Sequence, residues 1–193
     1  YSATKHIDGQ GRVLGGAVLS DKKFLTDDFL PYYRHTGPAM SPFNAWVLVK
    51  GLETLGLRVE RQVANADRLA RLVEAHPGAK SVRYPWLESH PQHALARRQM
   101  KNGGTLIAFD LGTKAAAFAF LDALRLVDIS NNLGDTKSLA THPTTTTHRA
   151  MEAADRAAMG ITEGLVRLSV GLEGVEDLER DLSRGLDAAR RAG

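Results

Sequence analysis

The spacing of apolar positions changes several times along the chain, and each change marks an element. Val13 to Leu19 is a short apolar run behind the turn-forming Asp8-Gly9-Gln10-Gly11, the pattern of a buried strand. Asp21 to Tyr33 has the spacing of a short helix, and His35 to Met40 reads as loop. At Ser41-Pro42 a capping hydroxyl precedes a proline at the first helical position. Apolar residues then recur at helical spacing through Trp46, Val49, Leu52, Leu55, Val59, Val63, Ala66, Leu69 and Val73. The pattern stops at His76-Pro77-Gly78. One long helix over about 42–76 is therefore expected, long enough to bridge two domains, with Gly51 and Gly56 as the places where it bends.

Beyond that break, strands and helices alternate. Val82–Tyr84, Thr105–Leu111, Val127–Ser130 and Leu165–Val170 read as strands. Ser89–Met100, Thr113–Leu124, Met151–Ala157 and Val175–Arg191 read as helices, the last amphipathic. This alternation predicts an α/β or α+β domain around a small sheet. Asn131 to Thr146 has no periodicity and is rich in Thr, Asn and Gly, so it is expected to be a long loop, and loops of that length in compact domains commonly carry function.

Composition narrows the function classes. The 193 residues are 43% hydrophobic and 24% charged, ordinary for a globular chain that buries its own core. Cysteine is absent, which fits a reducing, cytoplasmic setting. The net charge is +3, but acidic and basic residues alternate, as in Glu179-Arg180-Asp181, so a solvated surface is expected and no nucleic-acid partner. No apolar run has the ~18 residues of a membrane helix, and no signal peptide is visible. The chain opens on Tyr1-Ser2-Ala3-Thr4-Lys5 rather than on Met, and a motif placed at the first residue is expected of one piece of a longer protein.

That opening motif is the first candidate for chemistry. A lysine attacks an aldehyde only as the neutral amine, and hydroxyls beside it suit a phosphate. Ser2 and Thr4 flank Lys5 with alternate spacing, so an extended segment would turn both hydroxyls to one side. By itself the motif suits a strand end with an exposed lysine better than a cofactor site. Arg167, in an apolar strand, is either an edge residue with its head in solvent or a planar fork for a carboxylate. The histidines show no metal-ligand spacing: His142 and His148 lie six apart in a loop, and no metal is expected. Gly15-Gly16 suits close backbone packing, and Trp46 and Trp86 suit a core or an interface.

Longer stretches carry a resemblance. Tyr1-Ser-Ala-Thr-Lys-His-Ile-Asp-Gly9 with Gly15-Gly-Ala-Val18 is similar to the cofactor-lysine segment of the pyridoxal-phosphate enzymes of Cys/Met metabolism. The similarity runs on through His35-Thr-Gly-Pro-Ala-Met-Ser-Pro-Phe-Asn44, Gly51-Leu-Glu-Thr-Leu55, Asn131-Asn-Leu-Gly-Asp135, Ser138-Leu139, His142-Pro143, Thr147-His148 and Val166-Arg-Leu-Ser-Val-Gly-Leu-Glu173. These blocks cover essentially the whole chain in family order.

The resemblance implies a fold-type I, aspartate aminotransferase-like α/β architecture. Residues 1–55 would be the end of the large pyridoxal-phosphate domain and 56–193 the smaller α/β C-terminal domain. It implies pyridoxal 5'-phosphate as cofactor, Lys5 as its Schiff-base lysine, and Ser2 and Thr4 as hydroxyls on its phosphate. Arg167 would grip the substrate's α-carboxylate, with Asn132 as a further substrate ligand where many relatives have serine. The aspartate for the ring nitrogen, the stacking aromatic and the glycine-rich phosphate loop lie upstream in the family, so the partner first required is a missing N-terminal half of the same protein. A homotetramer built of dimers is implied as well. Asn132-Leu133-Gly134 and Gly9-Gln10 depart from the commoner Ser-Leu-Gly and Gly-His. They resemble the branch that replaces the acyl group of O-succinylhomoserine or O-acetylhomoserine with sulfide, giving homocysteine in methionine biosynthesis. Cystathionine γ-synthase or γ-lyase activity is the alternative within the family, and an inactive fragment serving as an assembly module is the alternative outside it.

Overall fold

The computed structural model describes Tyr1 to Gly193, and the chain divides into two compact units, Tyr1–Gly56 and Leu57–Gly193. In the first unit the expected strand Val13–Leu19 does not form. Its neighbour is the chain's own start: Ala3 N donates to Gly15 O at 2.9 Å and Ala17 N to Tyr1 O at 2.9 Å. The pairing amounts to one isolated bridge, Ser2 with Gly16. Val13 is buried, with Ala3, Val47 and Leu48, in a small apolar cluster, while Leu14 and Leu19 are 76% and 79% exposed.

Helix α1 (Lys22–Phe24) runs through a wider π-helical stretch, Leu25–Phe29, into α2 (Leu30–Thr36). Asp21 caps the start and Gly37, at φ 72°, ends it in the left-handed conformation that glycine tolerates best. Helix α3 (Pro42–Glu53) begins as its sequence predicts, with Ser41 accepting from Asn44 N at 3.1 Å. The single helix over 42–76 is corrected: Thr54, at φ −113° and ψ 4°, leaves helical geometry, and α4 starts afresh at Leu55–Ala75. Gly51 does not bend α3; a Cβ there would sit 2.0 Å from Ile7 O, so its role is close approach of two backbones.

The second unit holds a five-stranded sheet in the order β1-β2-β5-β4-β3, with β1 (Ser81–Arg83), β2 (Leu106–Asp110), β3 (Asp128–Ile129), β4 (Leu139–Thr141) and β5 (Leu165–Ser169). All neighbours are antiparallel except β3 and β4. β4 lies inside the stretch expected to be structureless. Three buried residues are too few to show a period, so its apolar content gave no signal. Pro143–Thr145 follows it as a 3₁₀ turn.

Alternate strand residues Ile107, Phe109, Val166 and Leu168 are fully buried in one core with α4, α6 (Lys114–Ala123) and α8 (Val175–Ala192). Phe109 and Phe120 meet edge-on at 5.2 Å in that core, and Gly185 gives Phe120 room, since a Cβ would come within 2.7 Å of its ring. Two short helices, α5 (His93–Gln99) and α7 (Ala153–Ala158), complete the unit. The intervening residues Leu106, Ala108, Leu165 and Arg167 turn to the other sheet face and are half-buried. That face positions the candidate site.

Candidate active site

Lys5 sits in a tight turn rather than in an extended segment. Its N–H donates to Ser2 O at 3.2 Å, its carbonyl accepts from Gly9 N at 2.8 Å, and Asp8 N donates to Ala3 O at 3.0 Å. The alternation that would have aligned the Ser2 and Thr4 hydroxyls therefore does not apply. Ser2 is exposed, whereas the Thr4 hydroxyl accepts from Gly15 N at 3.0 Å and donates to Gly15 O at 3.3 Å. Asp8, fully buried, fixes the far side of the turn: its carboxylate accepts from Arg12 N at 2.6 Å and Arg12 Nε at 2.9 Å. Gly9 and Gly11, at φ 68° and 64°, supply the backbone geometry the turn needs. An exposed hydroxyl and a half-buried amine held in one turn fit a phosphorylated aldehyde as donor set, with Thr4 placing the segment against Gly15.

Arg167 and Asn132 are brought together in the second unit. Arg167 lies on β5, paired with Ala108 of β2 on one side and Thr141 of β4 on the other. Its Nη2 donates to the carbonyls of Asn131 and Asn132 at 2.9 and 3.1 Å. Its Nε is buried with no acceptor, and burial alone lowers its pKa, with no carboxylate to offset the effect. A buried guanidinium N–H without a partner is costly and fits a ligand that brings its own anion.

The loop that presents Asn132 is fixed by residues the sequence reading missed. Ser130 Oγ accepts from Asn132 N at 3.2 Å, and Ser169 Oγ, two residues beyond Arg167, accepts from Gly134 N at 2.9 Å. Gln62 and Asn65 of α4 reach the same region, and Glu173 accepts from Ser138 N at 2.6 Å. Polar residues three apart on an otherwise apolar helix stripe were the available signal. His142 is occupied by the chain itself: Nε2 donates to Glu163 O and Nδ1 lies 2.9 Å from Thr145 Oγ1. No helix is long and apolar enough to cross a membrane.

Known proteins are similar to this chain in sequence and fold. The model of the Cys/Met metabolism PLP-dependent enzyme family matches residues 1–187. O-succinylhomoserine sulfhydrylase of Mycobacterium tuberculosis is 58% identical over 191 residues, 96% of this chain and 47% of that protein. L-methionine gamma-lyase of Fusobacterium nucleatum subsp. polymorphum is 41% identical over 97% of this chain and 48% of that protein. A crystal structure of cystathionine gamma synthase from Xanthomonas oryzae pv. oryzae, 42% identical, superimposes with a TM-score of 0.95 over all of this chain and 50% of that one. The chain thus spans about half the length of the curated relatives it matches. The fold is that of half a fold-type I enzyme, the cofactor of such enzymes is pyridoxal 5'-phosphate, and the chain belongs to the Cys/Met metabolism PLP-dependent enzyme family.

Proposed function

We propose that the complete protein is an O-succinylhomoserine sulfhydrylase, breaking the Cγ–O bond so that succinate leaves and hydrosulfide takes its place at Cγ to give homocysteine. The observation that carries the site reading is the buried, acceptor-less Nε of Arg167 beside the Asn131-Asn132 backbone. Pyridoxal 5'-phosphate, when bound, supplies the electron sink for charge at the substrate's α-carbon. In this reading Ser2 donates to its phosphate, Thr4 holds the turn in place, and Lys5 carries it. Once free, the Lys5 amine moves protons at the substrate's Cα and Cβ. Arg167 holds the α-carboxylate and Asn132 lines the same subsite. Succinate then leaves from Cγ and hydrosulfide adds there.

Residues 1–55 are read as the end of the cofactor domain and 56–193 as the smaller domain. The upstream half would bring the acidic partner of the ring nitrogen and further phosphate donors, and a homotetramer built of dimers is part of this reading. Exposed Leu14, Val18, Leu19, Tyr32, Phe43 and Trp46 in the first unit support it, because apolar surface of that extent is ordinarily covered. The 193-residue chain alone is therefore expected to be inactive.

A second reading has its own support. A cystathionine γ-synthase is structurally similar and a methionine γ-lyase is 41% identical, so transfer to cysteine or γ-elimination is the competing reaction. A purely structural assembly module receives no support from the relatives. Product analysis of the full-length protein with O-succinylhomoserine separates them. Homocysteine with sulfide, in excess of cystathionine with cysteine and of 2-oxobutyrate without thiol, is expected. Dominant cystathionine or 2-oxobutyrate would replace the sulfhydrylase reading.

A further inference from the structure

Gln62 is fully buried in α4, and its two side-chain polar atoms have unequal fates. Nε2 donates to Asp135 O at 2.6 Å, while Oε1 has no partner. Three residues on, Asn65 Nδ2 donates to Gly171 O and Glu173 O, each at 3.0 Å. Glu173 in turn accepts from Ser138 Oγ at 2.9 Å, and Ser138 Oγ accepts from Gly171 N at 2.9 Å. One polar face of α4 thereby grips both the end of β5 and the chain that follows Asn132.

An acceptor buried without a donor works against stability, so Gln62 is a poor choice if its task were only to fill the core. An apolar side chain of similar length would fill that space without the orphan Oε1, at the cost of the donor to the Asp135 carbonyl. What Gln62 adds is a fixed position for the Asp135 carbonyl. Upstream of it, Gly134 N is held by Ser169, and the Asn131 and Asn132 carbonyls are held by Arg167. With Asp135 released, the loop would lose this anchor to α4, and Arg167 would share its guanidinium with a moving backbone. We infer that Gln62 is a positioning residue for the amino-acid substrate: by latching Asp135 it holds the Asn131–Asp135 loop where Asn132 and Arg167 can take the α-carboxylate. The inference rests on the substrate-binding reading of Arg167 given above.

The test is Gln62→Met, with Gln62→Leu alongside, in the full-length protein loaded with pyridoxal 5'-phosphate. Amide hydrogen exchange over residues 131–138 is expected to accelerate while residues 165–170 keep their protection. KM for O-succinylhomoserine is expected to rise about tenfold, with kcat within about threefold of the parent. Gln62→His, which keeps an N–H donor at similar reach, should bring KM back to within about threefold. Unchanged exchange, or faster exchange with an unchanged KM, overturns the inference. If neither apolar variant folds, Gln62 is a residue of the core and the inference falls. Arg167→Lys serves as the separating control. An unchanged KM there removes the underlying site reading, whereas a raised KM beside a silent Gln62→Met removes the latch alone.

Discussion

Nη2 of Arg167 is already bonded to two loop carbonyls, so the side chain holds its own loop as well as any ligand. That dual duty sharpens what a substitution does. Lysine keeps the charge but has one head group and no planar fork, so it cannot serve the loop and a carboxylate together. Arg167→Lys in the full-length protein is expected to lower kcat/KM by about 2–5 kcal/mol worth of transition-state binding, roughly thirtyfold to several thousandfold. Cofactor absorbance should be retained, because Lys5, Ser2 and Thr4 are untouched. Near-normal kinetics would refute the role. At this scale, the proposed roles of Lys5 and Arg167 rest on the family blocks around them, not on their own chemistry, since each had an ordinary structural alternative. The Ser2/Thr4 alternation misled because residues 3–8 close into a turn through Lys5 N to Ser2 O and Asp8 N to Ala3 O, contacts that no local period announces. Gln62 was invisible because its partner, Asp135, lies 73 residues away.

Elements with long, strongly periodic faces were read within a few residues. α8 was expected over 175–191 and runs Val175–Ala192, and β5 was expected over 165–170 and runs Leu165–Ser169. The misses share a cause, which is that pairing at long range decided the outcome. β4 exists because Leu139–Thr141 slots between β3 and β5, and Val13–Leu19 makes no more than the isolated Ser2–Gly16 bridge with the chain's first residues. The long helix divides at Thr54 although its apolar period runs through without a gap. One buried contact ties α8 to the connection before β3. Asp181 accepts from the backbone N–H groups of Arg125, Leu126 and Val127 at 2.9, 3.0 and 3.0 Å, and also pairs with Arg184. Asp181→Ala would strip three N–H donors of their acceptor and is expected to cost about 3 kcal/mol of stability. Chemical denaturation of the full-length variant checks this, and a loss below about 1 kcal/mol would show that water replaces the carboxylate.

For the molecule as a whole, the family was legible because the blocks fall in order along the chain, from Tyr1-Ser-Ala-Thr-Lys5 to Val166-Arg-Leu-Ser169. Order over that span is far harder to reach by chance than any one motif. The two compact units hold different parts of the proposed chemistry, the amine in Tyr1–Gly56 and the carboxylate grip in Leu57–Gly193. Every functional step in the account depends on the cofactor being carried by Lys5. Borohydride reduction of the cofactor-loaded, full-length protein, followed by peptide mapping, tests that dependence most directly. The account predicts a pyridoxyl label on Lys5, at close to one per chain; label on any other lysine, with Lys5 unmodified, would contradict it.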